Sequence, residues 1–193
     1  MAVHRRVTYR LYPSASQADE MWRIHPAHCE LYNAALQERR GAWRKQRLSI
    51  GFAEQCRSWT TIRREHEDFA CLNAQSGQVT LKRLDGAYGH FLRRAKLGQT
   101  PGFPRFKGRF RFPGWGTKSH GDGFRFVPRA EGRHGVLRLS KIGKIRARGR
   151  AKTPGEVVTA ESSAMQRARC CRSSCAATLF ARGARAPAVW TGA

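Results

Sequence analysis

At Gly98 the chain changes period. Before it, apolar residues recur at helical spacing: Cys29, Tyr32, Leu36 and Trp43 form one stripe, and Phe52, Cys56, Trp59 and Ile62 another. Leu81, Leu84, Tyr88 and Phe91 then follow at steps of three, four and three. After it, Gly and Pro become frequent and short runs alternate, as in "RFRF", "FRFV", "VLRL" and "GKIRAR". A helix repeats its buried face every 3.6 residues and a strand every two, so a chain carrying both periods in separate blocks must fold as α+β. A helical bundle is expected over residues 14–97, and a small twisted sheet or β-barrel with glycine-rich turns over 98–161.

Residues 5–12 also alternate, with Val7, Tyr9 and Leu11 on one side and Arg6, Thr8 and Arg10 on the other. A lone strand this short does not stand by itself, so residues 1–13 should complete the later sheet, which makes the helical bundle an insertion. Pro13 ends that strand, and "SASQ" supplies a helix start with Ser14 as N-cap and Gln17 reaching back to it. Pro26 should break or kink the first helix. Gly77, Gly86 and Gly89 weaken the helix around residues 78–95.

Charge sets the class of partner. The 193 residues hold 37 Lys+Arg against 13 Asp+Glu, a net charge of +24, while 40% hydrophobic residues leave enough for a core. A balance this basic points to a polyanion, nucleic acid first and an anionic membrane surface second. No apolar run approaches the roughly 20 residues of a membrane span, and "MAVHRRVTYRLY" lacks the apolar centre of a signal peptide. The expected setting is intracellular and reducing, with Cys29, Cys56 and Cys71 serving as buried small hydrophobes.

The basic character concentrates between Asp85 and Asp122. No acid lies in that interval, which carries Arg93, Arg94, Lys96, Arg105, Lys107, Arg109, Arg111 and Lys118. Within it, "GFPRFKGRFRF" (residues 102–112) interleaves cations with Phe103, Phe106, Phe110 and Phe112. If 109–112 is extended, Arg109 and Arg111 share one face and the phenylalanines the other. Cations so placed neutralise successive phosphates, and counterion release drives binding. The phenylalanines either face the core, the preferred reading, or offer stacking platforms to unpaired bases.

Other constellations carry less. "REHEDF" (residues 64–69) gathers acids, but consecutive helical residues diverge, so it reads as a charged, solvated helix end. "HPAH" sets His25 and His28 three apart with no third ligand in view. Cys170, Cys171 and Cys175 do not match the C-x-x-C spacing of a zinc site and read as incidental. There is no Walker loop, no G-x-S-x-G and no H-E-x-x-H. Residues 162–193 contain five arginines, no lysine and no acid, and show neither period. They are expected to be disordered, with the texture of a shifted reading frame.

Five collinear blocks resemble the TnpB, or OrfB, accessory transposases of bacterial insertion sequences. They are "YRLYPSASQ" (9–17), "LYNAALQERRGAW" (31–43), "LKRLDGAYGHFLRRAKLGQTPGFPRFKGRFRF" (81–112), "LRLSKIGKIRAR" (137–148) and "TPGEVVTAE" (153–161). The resemblance implies an RNA-guided DNA endonuclease architecture: a wedge β-barrel of OB-like type, begun by the first strand, interrupted by a helical recognition domain of helix-turn-helix type, then resumed. In such systems base pairing supplies most of the specificity and protein holds backbone and duplex shape. It further implies that Gln78 matches a glutamine facing target-adjacent DNA, where an amide can pair with an adenine edge. The family's RuvC-like domain, with its Mg²⁺-binding carboxylates, and its zinc ribbon lie beyond the blocks matched here, and no acid follows Glu161.

The resulting expectation is a truncated, nucleic-acid-binding fragment without nuclease activity and without a cofactor of its own, since two-metal cleavage needs carboxylates. Its partners would be guide RNA and transposon-end DNA, with no membrane and no small-molecule substrate, in the bacterial cytoplasm or on the nucleoid. The expected contact residues are Gln78, Arg93, Arg94, Lys96, Arg105, Phe106, Lys107, Arg109, Arg111 and Lys118. The alternatives are a structural RNA-binding protein of ribosomal type and a nuclease whose catalytic residues escape notice.

Overall fold

β1 (His4–Tyr12) has the alternation its sequence predicts: Val7, Tyr9 and Leu11 are buried, and Arg6, Thr8 and Arg10 are exposed. The structure is a computed structural model that describes residues 4–129, 133–149, 156–163 and 175–182. Among the described residues seven further strands follow late in the chain: β2 (Trp115–Thr117), β3 (Ser119–His120), β4 (Gly123–Pro128), β5 (His134–Leu139), β6 (Gly143–Gly149), β7 (Glu156–Ser163) and β8 (Cys175–Arg182). They form one sheet in the order β2-β7-β8-β1-β6-β5-β4-β3. The sheet curls into a half-barrel. Its pairings are antiparallel except β3 with β4.

β1 lies inside the sheet, with Leu11 opposite Ala147 of β6 and Val7 opposite Leu179 of β8. Both neighbours are far away in sequence, so its inward residues are covered only once the rest of the chain has folded. Phe124, Phe126, Leu137, Leu139 and Ile145 join them in the core, and the Tyr9 and Phe126 rings meet at 4.8 Å.

Four helices intervene between β1 and β2: α1 (Ala15–Gln46), α2 (Phe52–Glu65), α3 (Glu67–Ala70) and α4 (Ala74–Lys96). α1 opens with the predicted capping box. The Ser14 hydroxyl accepts from the Gln17 N–H, and Gln17 Oε1 accepts from the Ser14 N–H at 3.0 Å. Gln17 also donates through Nε2 to the carbonyls of Ile142 and Lys144, at 3.2 and 3.0 Å. The cap thereby fixes the helix start to the β5–β6 turn.

Pro26 does not break the first helix. It lies inside α1, which continues through it. The ring removes one N–H that would have met the Trp22 carbonyl, a cost of about 3 kcal/mol in an isolated helix. Ile24, Ala27, His28 and Cys29 around it are buried, and their packing offsets that loss. Gly77, which looked like a weakness in α4, is a contact point. The Trp59 indole packs against its Cα, where a Cβ would overlap the ring, and Trp59 Nε1 donates to the Ala74 carbonyl at 3.0 Å.

Two expectations fail. "RFRF" is no strand. Arg109–Arg111 is a single 3-10 turn, so Arg109 and Arg111 do not share an extended face. Phe112 is buried to 1% exposure while Phe110 is 80% exposed, a separation that a strand, with both on one face, would not give. The supposedly unstructured 162–193 segment contains β8, which pairs with β7 on one side and β1 on the other. Ala177, Thr178, Leu179 and Ala181 are all buried, so β8 is covered on both faces and offers no alternation for the sequence to reveal. The proposed boundary at 161 falls within β7. Cys170 and Cys171 lie outside the described residues.

Candidate nucleic-acid interface

One face of α1 holds the basic loop by its backbone. His25, Cys29 and Asn33 recur every four residues and therefore stack along one side of the helix. Asn33 Oδ1 accepts from the Lys107 N–H at 2.9 Å, and its Nδ2 donates to the Lys107 carbonyl at 2.8 Å. The Cys29 thiol donates to the same carbonyl at 3.2 Å. His25 Nε2 donates to the Arg109 carbonyl at 3.0 Å. A carbonyl can only accept, so this bond fixes the proton on Nε2.

Beyond the backbone, aromatic contacts anchor the loop at both ends. Phe112 packs against His25 and Tyr32, with ring centroids at 5.6 and 6.0 Å, and the Arg83 guanidinium lies over it at 5.5 Å. Arg83 also donates to the Gly114 carbonyl. Phe103 meets Tyr88 and Phe91 of α4 edge-on, at 5.6 and 5.2 Å. The Arg40 guanidinium caps both Phe103 and Phe106, at 5.6 and 5.2 Å.

The consequence is electrostatic. With the backbone held by neutral groups, the Arg105, Lys107, Arg109 and Arg111 side chains stay exposed. None forms an ion pair among the described residues, where the three ion pairs are Arg23–Glu20, Arg39–Asp85 and Lys82–Asp85. Four unpaired cations within seven residues repel one another and are relieved by phosphates.

Beneath the loop, His28 is fully buried. The Thr80 hydroxyl donates to the Ser76 carbonyl, which leaves its oxygen to accept from His28 Nδ1–H at 2.9 Å. The ring stacks on Trp115 at 5.7 Å, and its Nε2 has no partner among the described residues. Burial, reinforced by the charges of Arg83 and His25, pushes its pKa down to about 3. Burial also lowers His25, against the opposing effect of its bond to the Arg109 carbonyl. Both histidines are thus neutral packing groups. Burial likewise raises the thiols of Cys29, Cys56 and Cys71; Cys29 and Cys71 are buried as expected, whereas Cys56 is only half-buried. "REHEDF" is the exposed junction of α2 and α3, and no cluster of three or more His, Cys, Asp or Glu gathers for a metal among the described residues.

Of the residues singled out from sequence, the structure brings Arg105, Phe106, Lys107, Arg109 and Arg111 together on the clamped loop. Arg93, Arg94 and Lys96 are exposed in the last turn of α4, which leads into it. There they also face the helix C-terminal dipole, so charge alone does not assign them to a partner. Lys118 is exposed just after β2, close enough to Cys56 of α2 to act on its thiol. Gln78 is half-buried near the start of α4, and its amide makes no hydrogen bond among the described residues. The phenylalanines correct the sequence reading: Phe112 is core, but Phe103, Phe106 and Phe110 are 42, 46 and 80% exposed. His25, Cys29, Asn33 and Arg40 were missed. The four-residue spacing of His25, Cys29 and Asn33 is visible in the sequence, with Arg40 seven residues further on, but nothing there says what they hold.

Comparison with known proteins bears on the same helix. Residues 1–47 match the family model for the helix-turn-helix domain of OrfB/IS605 type, a span that contains β1 and the whole clamp stripe. No curated protein matches the chain. The match supports an OrfB/IS605-type transposase N-terminal region, and a helix-turn-helix domain suggests DNA binding. In this chain the described part of that span forms a strand and one continuous helix. No helix among the described residues is long and apolar enough to cross a membrane.

Proposed function

We propose that this chain is a nucleic-acid-binding part of a TnpB-like transposase, and that it grips the phosphates of a guide RNA, and of transposon-end DNA, through the loop at residues 105–111. The observation that carries the reading is the backbone clamp: Asn33, Cys29 and His25 hold Lys107 and Arg109 by main-chain atoms and leave four cationic side chains unneutralised. In this reading the half-barrel is the wedge, the four helices are the recognition insertion, and Gln78 faces the base edges. So read, the chain binds nucleic acid without cutting it.

Titration with a structured RNA and a DNA duplex over a range of salt tests it. Replacing Arg105, Lys107 and Arg109 together by alanine should weaken binding and lower the log–log salt slope by roughly 2–3, at about 0.7–0.9 per phosphate contact. An unchanged slope removes the loop from the interface. Incubation with Mg²⁺, RNA and target plasmid tests the other half, since cleavage abolished by chelation would make the chain a nuclease. Equal affinity for ribosomal and transposon-end RNA would instead favour the ribosomal-type alternative.

A further inference from the structure

We propose that the groove between the C-terminal halves of α1 and α4 receives an unpaired nucleobase from a strand lying along the 105–111 loop. This rests on the reading of that loop as a phosphate-binding surface. The groove encloses about 890 Å³, within the range of small-ligand sites, and its floor is Trp43, Leu48, Tyr88, Phe91, Leu92 and Phe103. Four of these are large apolar side chains left substantially open: Trp43 at 52%, Leu48 at 56%, Leu92 at 54% and Phe103 at 42% exposure. An apolar patch so exposed within a chain this charged marks a contact surface.

Charge and continuity select the occupant. Arg40 and Arg44 line the groove, and the Arg47 guanidinium sits 5.7 Å from the Trp43 ring centroid. The acid in the lining, Asp85, is already held by Arg39 at 3.5 Å and Lys82 at 2.9 Å, so no free carboxylate opposes an anion there. An apolar floor with a cationic rim fits a group that is aromatic on its faces and anionic at its edge, which describes a nucleotide. Phe103 is common to the groove and the basic loop, and Arg40 joins it to Phe106. A backbone following Arg105 to Arg111 therefore has an aromatic slot at its end. A paired base covers both faces by stacking, so the slot selects single-stranded nucleotides.

Fluorescence anisotropy on the intact chain separates the base from the phosphates, using a labelled oligothymidylate and an abasic strand of the same length. Trp43→Ala should weaken the oligothymidylate roughly tenfold or more, as loss of a stacking platform does, and the abasic strand by less than about twofold. Trp43→Phe should recover most of the loss, which a folding defect would not allow. Equal losses on both strands, or none on either, overturn the groove as a base site while leaving phosphate binding intact. Self-association of the chain that Trp43→Ala abolishes would assign the groove to a second copy and overturn it equally. If neither strand binds at low salt, the phosphate-binding reading falls too.

Discussion

Asn33 closes a two-point hydrogen-bonded pair with the main chain of Lys107, accepting from its N–H at 2.9 Å and donating to its carbonyl at 2.8 Å. A single carboxamide thereby does for the loop what a neighbouring strand would do in a sheet. Asn33→Ala should cost about 0.5–1.5 kcal/mol for each of the two bonds it removes, leaving the Lys107 carbonyl to the Cys29 thiol alone. It should also raise hydrogen exchange at the Lys107 amide and weaken nucleic-acid binding. Asn33→Asp keeps the acceptor and loses the donor, so it should recover only part of the protection. An unchanged exchange rate in Asn33→Ala would show that the clamp is not closed in solution.

Gly77 gives a test in which the sign decides. In an exposed helix, Gly→Ala stabilises by roughly 1 kcal/mol. Here the added methyl meets the Trp59 indole, so Gly77→Ala should lower the thermal midpoint. The Trp59 environment should shift in near-UV circular dichroism. A stabilised variant would mean that Trp59 packs elsewhere.

His28 sets an acid limit. Its folded pKa of about 3 lies below the ordinary 6.5 of an exposed imidazole. Above pH 6.5 both folded and unfolded states hold it neutral, and its packing contributes fully. As pH falls from 6.5 toward 3 the unfolded chain takes up a proton that the folded chain refuses, at roughly 1 kcal/mol per pH unit. His25, lowered in the same direction, adds to the trend. Denaturant midpoints recorded between pH 7 and 4 should fall steadily, and His28→Gln should flatten the decline. A pH-independent midpoint in the unchanged protein would rule out a buried, neutral His28.

Leu179 tests the strand that the sequence reading missed. It is 1% exposed and sits opposite Val7 at the middle of the sheet. Leu179→Ala should destabilise by about 2–4 kcal/mol, the range for a buried leucine left as a cavity. Urea unfolding measures it. A change below about 0.5 kcal/mol would put residues 175–182 outside the fold.

What was legible in the sequence was what depends on local periodicity. The change at Gly98, the alternation of β1, the Ser14–Gln17 capping box and the stripe from Leu81 to Phe91 all come from repeats within a few residues, and the structure keeps each. The misreadings lie where distant partners outweigh local preference. Pro26 stays in a helix because its neighbours are buried, and β8 forms between two strands that supply its hydrogen bonds.

The basic loop divides in the same way. Its charge, its missing acids and its interleaved phenylalanines are matters of composition and order, so the chain alone fixes that it repels itself and attracts a polyanion. Which phenylalanine is buried, which cations stay free and where an aromatic groove opens depend on α1 and α4 meeting residues up to 84 positions away. That meeting is a balance of desolvation and hydrogen bonding over the whole fold, and no local pattern records it.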